Sequence, residues 1–444
     1  MSKLGMWARA ADIAKQAPPE RNRYVDLLRA LSISAVVFGH WLMAAPYLDT
    51  TASASAGAGA PAIQHLLDIQ PWSRWLTWLL QVMPVFFFVG GFSNGVSWDG
   101  AQRKGLTYTT WLEARMRRLL GPVVPLVFLW GVLAVIAYLC NIHPEMIRIG
   151  SQVALVPVWF LAIYFVIVML VPITRQAWHR FGFLSIVVPI LLAVLGDLVY
   201  FNTSYQWFGW FNYLFIWSAM HQFGYAWQQQ RMGSAFTCLL MAGLGLLSLI
   251  VLTQFGPYPL SLVGVPSQEL SNTTPPKLPL LALGVTQIGL LLAIETPMRR
   301  WLANAKVWTA TVLVNGLIMP IFLWHSTVMM LLIGACFLLL PMVLLPLPGT
   351  MQWWSHRPLW VSVFMIVMLV VLPLCLKLEK VVTGTARTDA STWRLAVGAI
   401  CLCLGLAMLA ANGVTGHGVL GLNWLACGLP LVGGFIALFR LPSK

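Results

Sequence analysis

Long apolar runs separated by short polar breaks dominate the chain. Runs long enough to cross a bilayer fall at about 27–46, 78–97, 119–140, 155–172, 183–201, 209–227, 235–255, 278–296, 311–341, 358–376, 394–412 and 418–440. Each is read as a membrane-spanning helix, which gives about twelve; the ninth run is long enough to hold a kink or a re-entrant piece. Two of the connecting segments are long. Residues 47–77 carry the small-residue tract TASASAGAGAPA, and 256–277 are rich in Pro, Ser and Thr. Neither has the apolar periodicity of an independent domain, so chemistry is expected from the helices. Asn272-Thr-Thr is formally a glycosylation triplet, of a kind common by chance. The predicted fold is an all-α polytopic bundle with three parts: a basic tail over 1–26, a core over 27–376 and a two-helix extension over 377–444, whose spans hold no ionisable residue in mid-run.

Composition agrees. Of 444 residues, 59% are hydrophobic and only 9% charged, too few charges to cover a soluble protein of this size. A net charge of +14 would suggest nucleic acid in a soluble chain. Here the position of the charges matters more, and no nucleic-acid partner is expected. If the N-terminus is cytoplasmic, the inside loops hold Arg103, Lys104, Arg115, Arg117, Arg118, Arg175, Arg180, Arg231, Arg299, Arg300, Lys306, Lys377, Lys380, Arg387 and Arg394, with Arg440 and Lys444 at the end. The outside loops hold only Arg74, Arg148, Lys277 and Arg357. That asymmetry predicts both termini on the cytoplasmic side of a plasma membrane. Seven cysteines lie in or beside apolar runs without metal-ligand spacing, so neither a disulfide framework nor a metal site is expected. Residues 1–23 have basic residues but no apolar signal core; they form either a weak interfacial helix or a basic tail.

Ionisable side chains inside spans are costly and become site candidates for that reason. The first run, RYVDLLRALSISAVVFGHWLM, carries Arg29 and His40 eleven positions apart, on one helical face and ~16 Å apart along the axis. His40, Asp197 in the fifth run and His325 in the ninth come out at similar depths, ~20 Å from the inner face. Asn212 and Trp159 lie in the same half. A second polar layer near the inner face comprises Arg29, Asn94, His221 and the cluster Arg115, Arg117, Arg118. Plainer readings stand beside these. His221 fits a satisfied interhelical hydrogen bond; Arg29 can snorkel or pair with Asp26; the arginine cluster can be a positive-inside anchor. A neutral imidazole in apolar surroundings suits a general base, and a nearby Asp197 would orient it. In the second run, PVFFFVGGFSNGVSW, Gly90-Gly91 with Ser93 and Asn94 allows either close helix packing or an opened backbone lining a ligand passage.

Four segments, in this order and at these positions, resemble the acyltransferase-3 family of integral membrane O-acyltransferases. They are Arg29-x10-His40, PVFFFVGGFSN, Arg115-Met-Arg-Arg118 and Trp159-Phe-Leu; FNYLFIWSAMHQFGYAW and IMPIFLWHS look like actinobacterial members. The resemblance covers roughly 20–376 and leaves out the last two spans. It departs from the family at Gly90-Gly91-Phe92, where a serine is usual and Ser93 or Asn94 would have to substitute. It departs again at Ala162-Ile163-Tyr164, where an acidic residue is common. The resemblance implies an acyl-coenzyme A donor, most simply acetyl-CoA, with no metal. Its phosphates would be held by Arg115 and Arg118 with Arg29 and Asn94. His40 would be base or transient acyl carrier; His325 and Asp197 join the catalytic group on their matched depth, Asp197 as a reading of the residues and not through the resemblance. Gly91, Ser93, Trp159 and Asn212 would line the substrate path. The acceptor would be a hydroxyl of a cell-envelope glycolipid or glycan, a trehalose mycolate type lipid being one candidate.

Two other readings share the residues. One is a membrane acyltransferase built around His325 instead of His40. The other is a transporter or flippase of an envelope precursor that uses His40 and Asp197 as a proton relay.

Overall fold

The computed structural model describes residues 5–18, 21–49, 60–383, 391–416 and 418–438. The tract over 51–59 and the basic positions Arg387, Arg440 and Lys444 lie outside the described residues. Each of the twelve apolar runs forms a helix. Among the described residues, seven helices are individually long and apolar enough to cross a membrane, and up to ten spans result if each of three bent pairs counts once. Asn212–Gln228, with 17 residues, and Trp424–Leu438, with 15, are shorter than the usual span. The chain is a multi-pass helical membrane protein.

The bent pairs are Tyr108–Leu119 with Val123–Leu139, Pro144–Leu155 with Pro157–Met169, and Leu278–Ala293 with Glu295–Trp301; they bend by 41°, 44° and 55°. Pro122, Pro157 and Pro297 sit at or just past the three breaks, where the missing N–H and the ring interrupt the hydrogen-bond ladder. The ninth run is instead one helix, Ala305–Leu339, of 35 residues with Pro320 inside it. A ten-residue helix, Met6–Lys15, precedes the first span; that span, helix Arg23–Met43, starts earlier and stops earlier than its predicted run. It therefore carries His40 in its last turn, and Ala44 already belongs to a strand. The 47–77 segment is more ordered than its composition suggests: Ala44–Asp49 and Ala60–His65 pair antiparallel with Ala44 opposite His65.

Two compact units are present. The first comprises Met1–Gly39, Leu67–Asp99 and Leu170–Ile318. Its helices Met83–Arg103 and Asn212–Gln228 cross backbone to backbone. A Cβ on Gly91 would lie 1.7 Å from the His221 carbonyl oxygen, and one on Gly224 would lie 2.2 Å from that of Phe88. Phe87 stacks on Trp217 and Phe88 on Trp227 along the same crossing. Helices Ala235–Phe255 and Leu278–Ala293 meet in the same way at Gly245 and Gly289.

The second unit comprises His40–Leu66, Gly100–Met169 and Met319–Lys444. Within it the C-terminal helices Thr392–Asn412 and Trp424–Leu438 pack on each other through Gly398, Gly405 and Gly433. Gln152 donates to the Ala411 carbonyl, the Cys403 thiol to that of Ala162, and Gly434 lies against Val124. The hairpin is thus built into the unit, with Leu402, Leu406 and Leu409 fully buried.

Candidate active site

In the second unit His40 Nδ1 and His325 Nε2 are 2.8 Å apart. The ring centroids are 5.1 Å apart and the planes differ by 15°, so the imidazoles meet edge to edge through these nitrogens. The proton positions follow from the neighbours. His325 Nδ1 lies 2.7 Å from the Phe322 carbonyl oxygen, which can only accept, so the Nδ1 of His325 bears hydrogen. In the neutral ring its Nε2 is then an acceptor, and His40 must donate through Nδ1. That leaves the lone pair of His40 Nε2 available. Ser326 Oγ, at 3.1 Å, donates to the same His325 nitrogen. His325 is fully buried, whereas His40 is half-buried.

The packing holds this tautomer. Trp41, fully buried, donates from Nε1 to the His325 carbonyl at 3.2 Å and packs against Phe364. Trp130 donates to Thr327 Oγ1 at 3.0 Å, and the edge of Phe160 meets Phe322. Trp159, half-buried, touches Phe160 and so lies one side chain away from the residue that anchors His325. On helix Tyr108–Leu119, Arg117 is committed to Glu113 at 2.9 Å. Arg115 lies over the Trp111 ring, and Arg118 is exposed. The predicted cluster therefore divides: Arg117 is paired with Glu113, Arg115 is half-buried over Trp111, and Arg118 is exposed.

In the first unit Arg29 donates to Ser93 Oγ at 2.8 Å, which joins helix Arg23–Met43 to helix Met83–Arg103, and pairs with Asp26 of its own helix at 3.4 Å. Asp26 also binds Arg21 at 2.6 Å. Asn94 is buried and bonds His221 Nε2 through its amide nitrogen at 3.1 Å. The histidine thus makes the interhelical bond expected of it, and the Asn94 amide is engaged within the unit. Gly91 lies inside an unbroken helix, so the glycine pair serves close packing and the backbone there is not opened.

Asp197 is 2% exposed, and Asn212, Tyr258 and the backbone N–H of Leu278 all donate to it at 2.8–2.9 Å. It caps helix Leu278–Ala293 from a distance and fixes the preceding loop. Lys277, next in the chain and fully buried, has its ammonium 3.5 Å from the Tyr200 ring centroid and without a hydrogen-bond partner. Burial lowers its pKa to about 8, although the Asp197 carboxylate opposes the shift. Burial and the same carboxylate push the Tyr258 hydroxyl upward.

Of the predicted residues, the structure brings His40 to His325 with Trp159 nearby, Arg29 to Ser93, and Asp197 to Asn212. Ser326, Tyr258 and Lys277 are additions; only their polarity beside apolar runs marked them in the sequence.

A multi-pass helical membrane protein with a neutral, oriented imidazole at the end of one span has the makings of a membrane-embedded transferase. The acyltransferase-domain profile of the acyltransferase-3 family matches residues 22–378, and the chain belongs to that family. Neither the curated proteins nor the solved structures searched give a match to the chain. It is a membrane acyltransferase.

Proposed function

We propose that the chain transfers an acyl group, most simply acetyl, from cytoplasmic acyl-CoA to a hydroxyl of a cell-envelope glycolipid or glycan. The observation that carries this reading is the His325-anchored tautomer of His40, which leaves a lone pair on Nε2. His40 Nε2 takes the proton of the acceptor hydroxyl as its oxygen attacks the thioester carbon. The C–S bond then breaks, and the imidazolium returns the proton to the CoA sulfur. His325 touches neither reactant and is a positioning residue, in the sense that the third group of a triad orients its base. Arg115 and Arg118 are the residues assigned to the donor's phosphates. Arg29 lies about three turns from His40 on the same helix, toward the end assigned to the cytoplasm. We place both termini on the cytoplasmic side of the plasma membrane, as the loop charges favour.

The test is release of free CoA from acetyl-CoA by purified protein in detergent. Wild type is expected to release CoA slowly without acceptor, and His40→Ala to lose at least about 10²-fold. Undiminished release by His40→Ala would overturn the assignment of the base.

A further inference from the structure

Arg357, on helix Met351–Thr383 of the second unit, is 5% exposed. No carboxylate among the described residues pairs with it. One Nη donates to the Ala44 carbonyl at 2.8 Å, the guanidinium lies 3.6 Å from the Trp353 ring centroid, and Nε has no hydrogen-bond partner. The side chain lines a shallow, open depression with Pro46, Trp353, His356 and Trp360. A buried cation without an anion is unfavourable, and stacking on an indole offsets only part of that cost. Nε is enclosed by protein, so a single oxyanion would meet the guanidinium from the open side of the depression, where no carboxylate already stands.

Its location ties it to the chemistry. Ala44 follows His40 by four residues, so the guanidinium is anchored about one helical turn beyond the imidazole. Phe364, two turns along from Arg357, packs on Trp41 beside His40. We propose that this depression binds a phosphate-type oxyanion carried by the acyl acceptor, so that the acceptor belongs to the anionic glycolipids or lipid-linked glycans. Trp353 and Trp360 offer apolar walls to the adjoining sugar or chain. This inference rests on the acyl-transfer reading above and narrows its substrate.

Two measurements test it. In a neutral maltoside detergent at matched ionic strength, inorganic phosphate should raise the melting temperature of the wild-type protein saturably relative to chloride. Arg357→Gln should lose the response and Arg357→Lys should keep part of it. Dioctanoyl phosphatidic acid acting at a lower concentration than inorganic phosphate assigns the site to a lipid-borne group; equal potency assigns it to the oxyanion alone. No saturable shift in wild type, or an undiminished one in Arg357→Gln, overturns the site, and the wild-type arm stands even if the variants do not fold. Separately, membranes containing the protein are given radiolabelled acetyl-CoA. The label should appear in lipids or glycans retained by an anion exchanger, at least about tenfold less with Arg357→Gln. Label confined to the neutral fraction overturns the proposal, whereas absence of any label in wild type counts against acyl transfer itself.

Discussion

At the scale of single residues the site depends on a proton being in the right place. If His325 serves only to fix the His40 tautomer, an acceptor atom at its position is what matters. His325→Ala is expected to lower kcat by about 10²-fold with the KM for acetyl-CoA unchanged, and His325→Gln, whose side-chain oxygen can accept, to recover part of the loss. A steady-state kcat and KM series with acetyl-CoA checks this; equal loss in both variants would show that more than an acceptor is needed. The arginine–histidine spacing was visible in the sequence because eleven positions is a near-integral number of turns. The His40–His325 bond was suggested only by matched depth, since depth fixes a layer but leaves the angle around each helix open. The same limit explains Asp197: it lies at the expected depth but is directed to Asn212, Tyr258 and the start of the next helix. Arg357 was visible only as one of the few outside cations.

At the scale of elements, small residues decide which helices touch. Gly91 has no room for a side chain, whereas Gly39 has nothing within 4 Å of where a Cβ would stand. Gly91→Ala should therefore cost more than about 3 kcal/mol and sharply reduce monodisperse protein, with Gly39→Ala near wild type; size-exclusion profiles and melting temperatures compare the two. The glycine pair was legible as either packing or an opened backbone, and the carbonyl of His221 decides for packing. Helix existence was legible throughout because long apolar runs leave few alternatives in a bilayer. The bends at Pro122 and Pro157, and the strand that begins at Ala44, were not, because a proline can end, kink or start a helix and pairing depends on a distant partner. Arg175 was counted as a loop charge; it is instead buried against Asp99 at 2.5 Å, a tertiary contact that no local pattern announces.

For the molecule as a whole, stability carries the signature of its buried loop cation. The Lys277 ammonium, outside the spans, has its folded pKa lowered to about 8 from 10.5. Between those values the unfolded chain binds more protons than the folded one, so stability rises with pH across that window; below pH 8 the full cost of burial is present. Lys277→Met should be more stable than wild type at neutral pH, by on the order of 3 kcal/mol, with the gap closing toward pH 10.5. Melting curves of both proteins in detergent across that range check it, and a gap independent of pH would assign the effect to packing. The family match ends at residue 378, yet the final two helices pack deeply in the second unit. The contact between His40 and His325 also sets a stoichiometry. With one lone pair spent as the anchor, the couple has a single vacancy, and two cations cannot share a 2.8 Å contact. If His40 is the base proposed above, each cycle discharges its borrowed hydrogen before another hydroxyl is ionised, a device suited to passing one group at a time.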